Sequence, residues 1–100
     1  MSKLHEACER RDLKEVASLL SSKDINTQNR DGETPLYVAS KYGDLSIVEV
    51  LTSRKECNFN IPDYQGNTPL HIVCTYGHHF IIGFLTADQR CLKDCDSYQH

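Results

Sequence analysis

One hundred residues allow one domain of ordinary size and leave no room for a second. A formal charge of −3 denies the chain the basic footprint of a nucleic-acid binder, and no apolar run nears the ~20 residues that cross a bilayer. Met1-Ser2-Lys3-Leu4-His5-Glu6 lacks the apolar core of a secretory signal, so the cytosol or nucleus is the expected compartment.

The chain opens on Leu4-His5-Glu6-Ala7-Cys8, a pattern that returns as Leu36-Tyr37-Val38-Ala39-Ser40 and again as Leu70-His71-Ile72-Val73-Cys74. Behind it, Leu13, Val16, Leu19 and Leu20 are spaced for the inner stripe of an amphipathic helix. Val16 returns as Val48 and Ile82, and Leu19 as Leu51 and Leu85. Between the two helices stands Arg11, where the later units carry Gly43 and Gly77. The first helix is therefore expected to end by another route than the glycine ending of the later units.

The second unit states the pattern in full. Gly32 suits a tight turn with positive φ, and Thr34 suits the helix N-cap. Pro35 follows at the first helical position, where its missing N–H costs nothing, and Leu36 opens the apolar face. Gly43 is placed to terminate that helix. Leu45, Ile47, Val48, Val50 and Leu51 then mark a second amphipathic helix.

Asp31-Gly32-Glu33-Thr34-Pro35-Leu36 recurs 34 positions later as Gln65-Gly66-Asn67-Thr68-Pro69-Leu70. The closing helix differs, because Phe80-Ile81-Ile82-Gly83-Phe84-Leu85 is apolar on nearly every face and expects cover on both sides. At the tail, Ser97-Tyr98-Gln99-His100 lies over Asp63-Tyr64-Gln65-Gly66, where a fourth turn would begin. That register leads us to expect the N-terminal piece of a longer array. Units of this kind cannot bury their apolar faces alone and must stack.

The strings Thr34-Pro35-Leu36-Tyr37-Val38-Ala39 and Thr68-Pro69-Leu70-His71-Ile72-Val73 resemble the ankyrin repeat, with Tyr37 and Val73 as departures from its pattern. The resemblance implies an all-α solenoid of antiparallel helix pairs with β-hairpin-like fingers near 24–33 and 58–67. Repeat 1 would cover about 2–28 as an N-terminal cap, repeat 2 about 29–62, repeat 3 about 63–96, and 97–100 would start a fourth. It also implies a non-catalytic protein-interaction module, probed on its concave finger and first-helix surface. Carried over by position, the finger residues are Arg30, Asp31, Glu33, Tyr64, Gln65 and Asn67. The helix residues are Glu9 and Arg10, Lys41 and Tyr42, and Thr75 and Tyr76. This assignment sets Tyr42, Tyr64 and Tyr76 on one surface, and tyrosine is an effective interface anchor. Asn26 and Asn60 hold the finger-preceding asparagine that asparaginyl hydroxylases modify in the family; the plainer reading is a turn asparagine bonding its own backbone.

Other chemistries are weaker. His71, Cys74, His78 and His79, with Cys91 and Cys95 nearby, contain zinc-type ligands, yet no C-x₂-C pair exists and the repeat accounts for most of them singly. Five cysteines, an odd number without an export signal, argue against a disulfide framework, and Cys8 and Cys74 read as inward apolar filler. His5 with Cys8, and His71 with Cys74, lack the third group and pocket of a nucleophilic site. The expectation is a protein partner, no cofactor, no metal, no nucleic acid and no membrane. A monomer is expected, with dimerisation through residues 80–85 if the array is cut short. The rival reading is a structural or autoinhibitory spacer within a larger enzyme or signalling protein.

Overall fold

Six helices come in three pairs in the computed structural model, which describes residues 3–20 and 23–88. They are α1 (Lys3–Arg10), α2 (Leu13–Leu19), α3 (Pro35–Tyr42), α4 (Leu45–Thr52), α5 (Pro69–Tyr76) and α6 (His79–Ala87), with a 3-10 turn at Lys23–Asn26. No strand occurs among the described residues, so the all-α expectation holds. Each helix packs on its pair-mate across a two-residue link, while α1, α3 and α5 form one row and α2, α4 and α6 a second.

The helix starts follow from side-chain chemistry. Thr34 Oγ1 accepts the Tyr37 N–H at 3.2 Å and Thr68 Oγ1 that of His71 at 3.3 Å, each with proline behind it. Asp12 and Asp44 cap α2 and α4 in the same way, each at 3.2 Å. His78 stands at the equivalent place before α6 and makes no such cap. Its Nε2 instead donates to the Lys41 carbonyl at 3.1 Å, and its ring lies against Gly43. Gly43 thus serves both a φ of 75° and a close approach by the next unit.

The first helix does not end as expected. Arg11 adopts φ 60°, the left-handed conformation that Gly43 and Gly77 adopt at the same place. For a residue with a Cβ this costs roughly 1–2 kcal/mol. The Arg11 Nε lies 3.5 Å from Asp44 Oδ2, an exposed pair worth at most about 1 kcal/mol. Arg11→Gly is therefore expected to stabilise the fold by about 1 kcal/mol in urea unfolding, whereas Arg11→Ala keeps the strain, loses the pair and destabilises it.

A continuous core runs the length of the stack, from Leu4, Ala7 and Val16 through Leu36, Ile47, Val48 and Leu51 to Leu70, Val73, Ile81 and Leu85. Ile25, Cys57 and Phe59 close it from the connecting segments. Cys8 is the buried thiol that the sequence suggested: burial, with the charges of Asp44 and Glu9, pushes its pKa up to about 12. Cys74 is not. It is half-buried and disulfide-bonded, which corrects its reading as inward apolar filler. The same place in units one and two is fully buried, and among the described residues no further first helix packs on α5.

Of the apolar run in α6, Ile81 and Leu85 enter the core and Ile82 and Phe84 are partly covered, while Phe80 is 84% exposed. The register seen at Ser97-Tyr98-Gln99-His100 lies outside the described residues.

Candidate partner-binding cleft

Each finger is a tight turn fixed by one side chain. Asn29 Oδ1 accepts the N–H groups of Asp31 at 3.0 Å and Glu33 at 2.9 Å, and the Gly32 N–H returns to the Asn29 carbonyl at 2.9 Å. Asp63 does the same for Gln65 and Asn67, both at 2.9 Å. These turns close the fingers without strands.

The fingers are also joined to each other. The Tyr64 N–H donates to the Asp31 carbonyl at 3.2 Å, and Gln28 Nε2 bridges the carbonyls of Gly32 and Pro62 at 2.9 and 3.1 Å. Asn26 Nδ2 donates to the Glu56 carbonyl at 2.6 Å while its Oδ1 accepts the Asn58 N–H at 2.8 Å. Asn26 therefore bonds the backbone of the next unit, and not its own as the turn reading supposed.

First helices reach forward to the next finger from one repeat place. His5 Nε2 donates to the Glu33 carbonyl at 2.7 Å, and the Tyr37 hydroxyl donates to Asp63 Oδ2 at 2.7 Å. Both side chains are buried. Burial, then the Asp63 hydrogen bond and charge, pushes the Tyr37 hydroxyl well above its ordinary range. At Asp63 burial opposes ionisation, but donation from Asn67, Tyr37 and Gln65 outweighs it and holds the carboxyl below the usual range.

These opposite shifts give two pH dependences. Tyr37 has a raised folded pKa, so its contribution is complete below about pH 10 and is lost as pH rises through the folded value. Asp63 has a depressed one, so its contribution is complete above about pH 4 and is lost as pH falls through the folded value. Tyr37→Phe is expected to cost about 1.5–3 kcal/mol at pH 7 and to remove the alkaline slope. Urea midpoints at pH 3, 7 and 10.5 check both.

Between the two finger tips, α3 and α5 lies a cleft of about 380 Å³. Of the positions carried over by the family resemblance, Arg30, Asp31, Glu33, Lys41, Tyr64, Gln65, Asn67 and Tyr76 line it. Glu9, Arg10, Tyr42 and Thr75 are exposed elsewhere on the surface. Lys41, which does line the cleft, holds its Nζ 5.8 Å from the Tyr42 ring centroid and 3.6 Å from Glu33 Oε2. Tyr64 and Tyr76 are 71% and 53% exposed, and the Tyr76 ring meets His78 edge-on at 5.9 Å. Tyr37, Asp63 and Ile72 also line the cleft and escaped the sequence reading. For Tyr37 a signal existed, since it departs from the family pattern at the place His5 holds; Ile72 carried none.

Among the described residues no three His, Cys, Asp or Glu side chains gather as a metal site. Of the histidines suspected there, His78 is committed to the Lys41 carbonyl, and the ring Nδ1 of His71 accepts the Thr68 N–H at 3.1 Å. Cys91 and Cys95 lie outside the described residues.

The family model for ankyrin repeats, in 3 copies, matches residues 4–96. The chain belongs to the ankyrin-repeat family. No curated protein matches it. Ankyrin repeats are generally protein–protein interaction modules and typically non-catalytic. No described helix is long and apolar enough to cross a membrane. Within an ankyrin frame, the stacked fingers and the row of first helices are the elements that form the cleft.

Proposed function

We propose that this chain binds a protein partner in the cleft between its fingers and first helices, without catalysis. The observation that carries the reading is the exposure of Tyr64 and Tyr76 beside a preformed polar cleft. Tyrosine offers a large contact area with few rotamers to freeze, which suits an interface anchor. The Tyr37–Asp63 bond holds the second finger before any partner arrives, so little ordering remains to be done on binding. Arg30 and Asp31, exposed at the finger tip, supply charges that select the partner.

The test is photo-crosslinking in native lysate with benzoylphenylalanine placed at Tyr64 or at Glu49, which is exposed on α4 outside the cleft. A protein captured from Tyr64 alone should bind purified chain, and Tyr64→Ala/Tyr76→Ala should weaken that binding roughly 100-fold with unchanged circular dichroism. Equal capture from both positions, or unchanged affinity in the double variant, would remove the cleft from consideration.

A further inference from the structure

Units two and three carry the same set of polar groups at matching places, with one charge left out. In unit two Lys41 Nζ lies 3.6 Å from Glu33 Oε2 and 5.8 Å from the Tyr42 ring centroid, so a cation stands between a carboxylate and an aromatic ring. Glu33 Oε1 also accepts the Asn29 side-chain amide at 3.2 Å. One repeat later, Asn29 and Glu33 are answered by Asp63 and Asn67, again one amide and one carboxylate with their places exchanged. Tyr42 is answered by Tyr76, but Lys41 is answered by Thr75, whose hydroxyl donates back to the His71 carbonyl at 3.0 Å. Unit three therefore keeps the carboxylate and the ring and lacks the cation. Nothing else described supplies it. Tyr37, Gln65 and Asn67 donate hydrogen bonds to Asp63, yet among the described residues no Lys, Arg or His forms an ion pair with it. His78 meets the Tyr76 ring only edge-on and gives its Nε2 to the Lys41 carbonyl. Across the cleft, Asp31, Glu33 and Asp63 stand against Arg30 and Lys41, which leaves an excess of negative charge.

We infer that the partner itself supplies the missing cation, a lysine or arginine side chain seated between the Tyr76 ring and Asn67, in the place that Lys41 fills one unit earlier. The inference rests on the cleft reading above and names what that cleft selects. Tyr76 and Asn67 both line the cleft, and Tyr76 is more than half exposed, so the ring is open to an incoming group. An aromatic face attracts a cation through its quadrupole. The Asp63 charge lies close by and largely out of water, where its field is screened less than at the surface. Arginine adds planar stacking on the ring. A partner that brought a carboxylate to this place would meet like charge, so the same groups reject acidic segments. Thr75 is the permissive element, because its short side chain leaves vacant what a lysine occupies in unit two.

The test selects a random-peptide phage library on the full chain and keeps the peptides that lose affinity for Tyr64→Ala/Tyr76→Ala. These should share one Lys or Arg. Replacing that residue by Gln in the leading peptide should weaken binding roughly tenfold, and so should Thr75→Lys in the chain, which fills the place from within. The two changes together should cost no more than either alone, because both empty the same contact. Thr75 is exposed on α5, so its variants should keep the circular dichroism of the parent, and Thr75→Gln, which adds length without charge, should leave affinity nearly unchanged. Cleft-dependent peptides with no shared basic residue would overturn the inference and leave the cleft reading standing. So would unchanged affinity in Thr75→Lys, or equal losses from Thr75→Lys and Thr75→Gln. A selection with no peptide dependent on the two tyrosines would remove the cleft itself, and this inference with it.

Discussion

Gly32→Ala is expected to cost at least about 3 kcal/mol of stability, against about 1–2 kcal/mol for Gly66→Ala. The two glycines hold the same place in adjacent fingers, with φ 83° and 88°, so the backbone strain of an added Cβ is shared. Their surroundings differ. A Cβ at Gly32 would fall 2.6 Å from the Tyr64 backbone nitrogen and 2.7 Å from its ring, whereas one at Gly66 meets nothing within 4 Å. The backbone of Tyr64 cannot swing away as a flexible side chain would. Relief requires the fingers to part, which breaks the Tyr64–Asp31 hydrogen bond and leaves Gln28 unable to span both carbonyls. Urea unfolding of both variants measures the difference, and equal losses would mean that finger stacking contributes nothing. The cleft sits on that junction, so Gly32→Ala should also weaken partner binding in any molecules that still fold.

Phe59→Ala should cost about 3–5 kcal/mol, the range for emptying a buried aromatic site. Phe59 is 1% exposed and stands 34 residues after Ile25, which is 5% exposed; each plugs the core from the segment that follows a second helix. A small domain holds only about 5–15 kcal/mol in total, so losing this one ring would remove a large share of its margin. Phe59→Leu restores much of the volume and should cost less than about 1.5 kcal/mol. Thermal melts followed by circular dichroism separate the two; an alanine variant within a few degrees of the parent would place Phe59 outside the core.

What the sequence made legible was local. Thr34, Pro35, Gly43 and their counterparts act within a few residues of themselves, so their roles could be read in one dimension and then recognised again 34 positions later. Arg11 misled because its strain is tolerated through contacts elsewhere, including Asp44, and no propensity announces that a cation will adopt a left-handed backbone. Cys74 misled because counting cysteines weighs the chain as a whole and says nothing of one thiol's surroundings, which here leave it half-buried. The finger residues of the cleft were found because turns project from a repeat in a fixed way. Tyr37 and Asp63 were missed because their bond joins positions 26 apart.

Most of the joints between units end on peptide groups. His5 binds the carbonyl of Glu33, Asn26 that of Glu56, Gln28 that of Pro62, and His78 that of Lys41. Any residue offers a carbonyl, so the receiving unit can change its side chains at those places without loosening the joint. The chain can thus rewrite the vocabulary it shows to partners while its grammar of assembly stays fixed, which makes neighbouring units interchangeable parts for evolution or for an engineer.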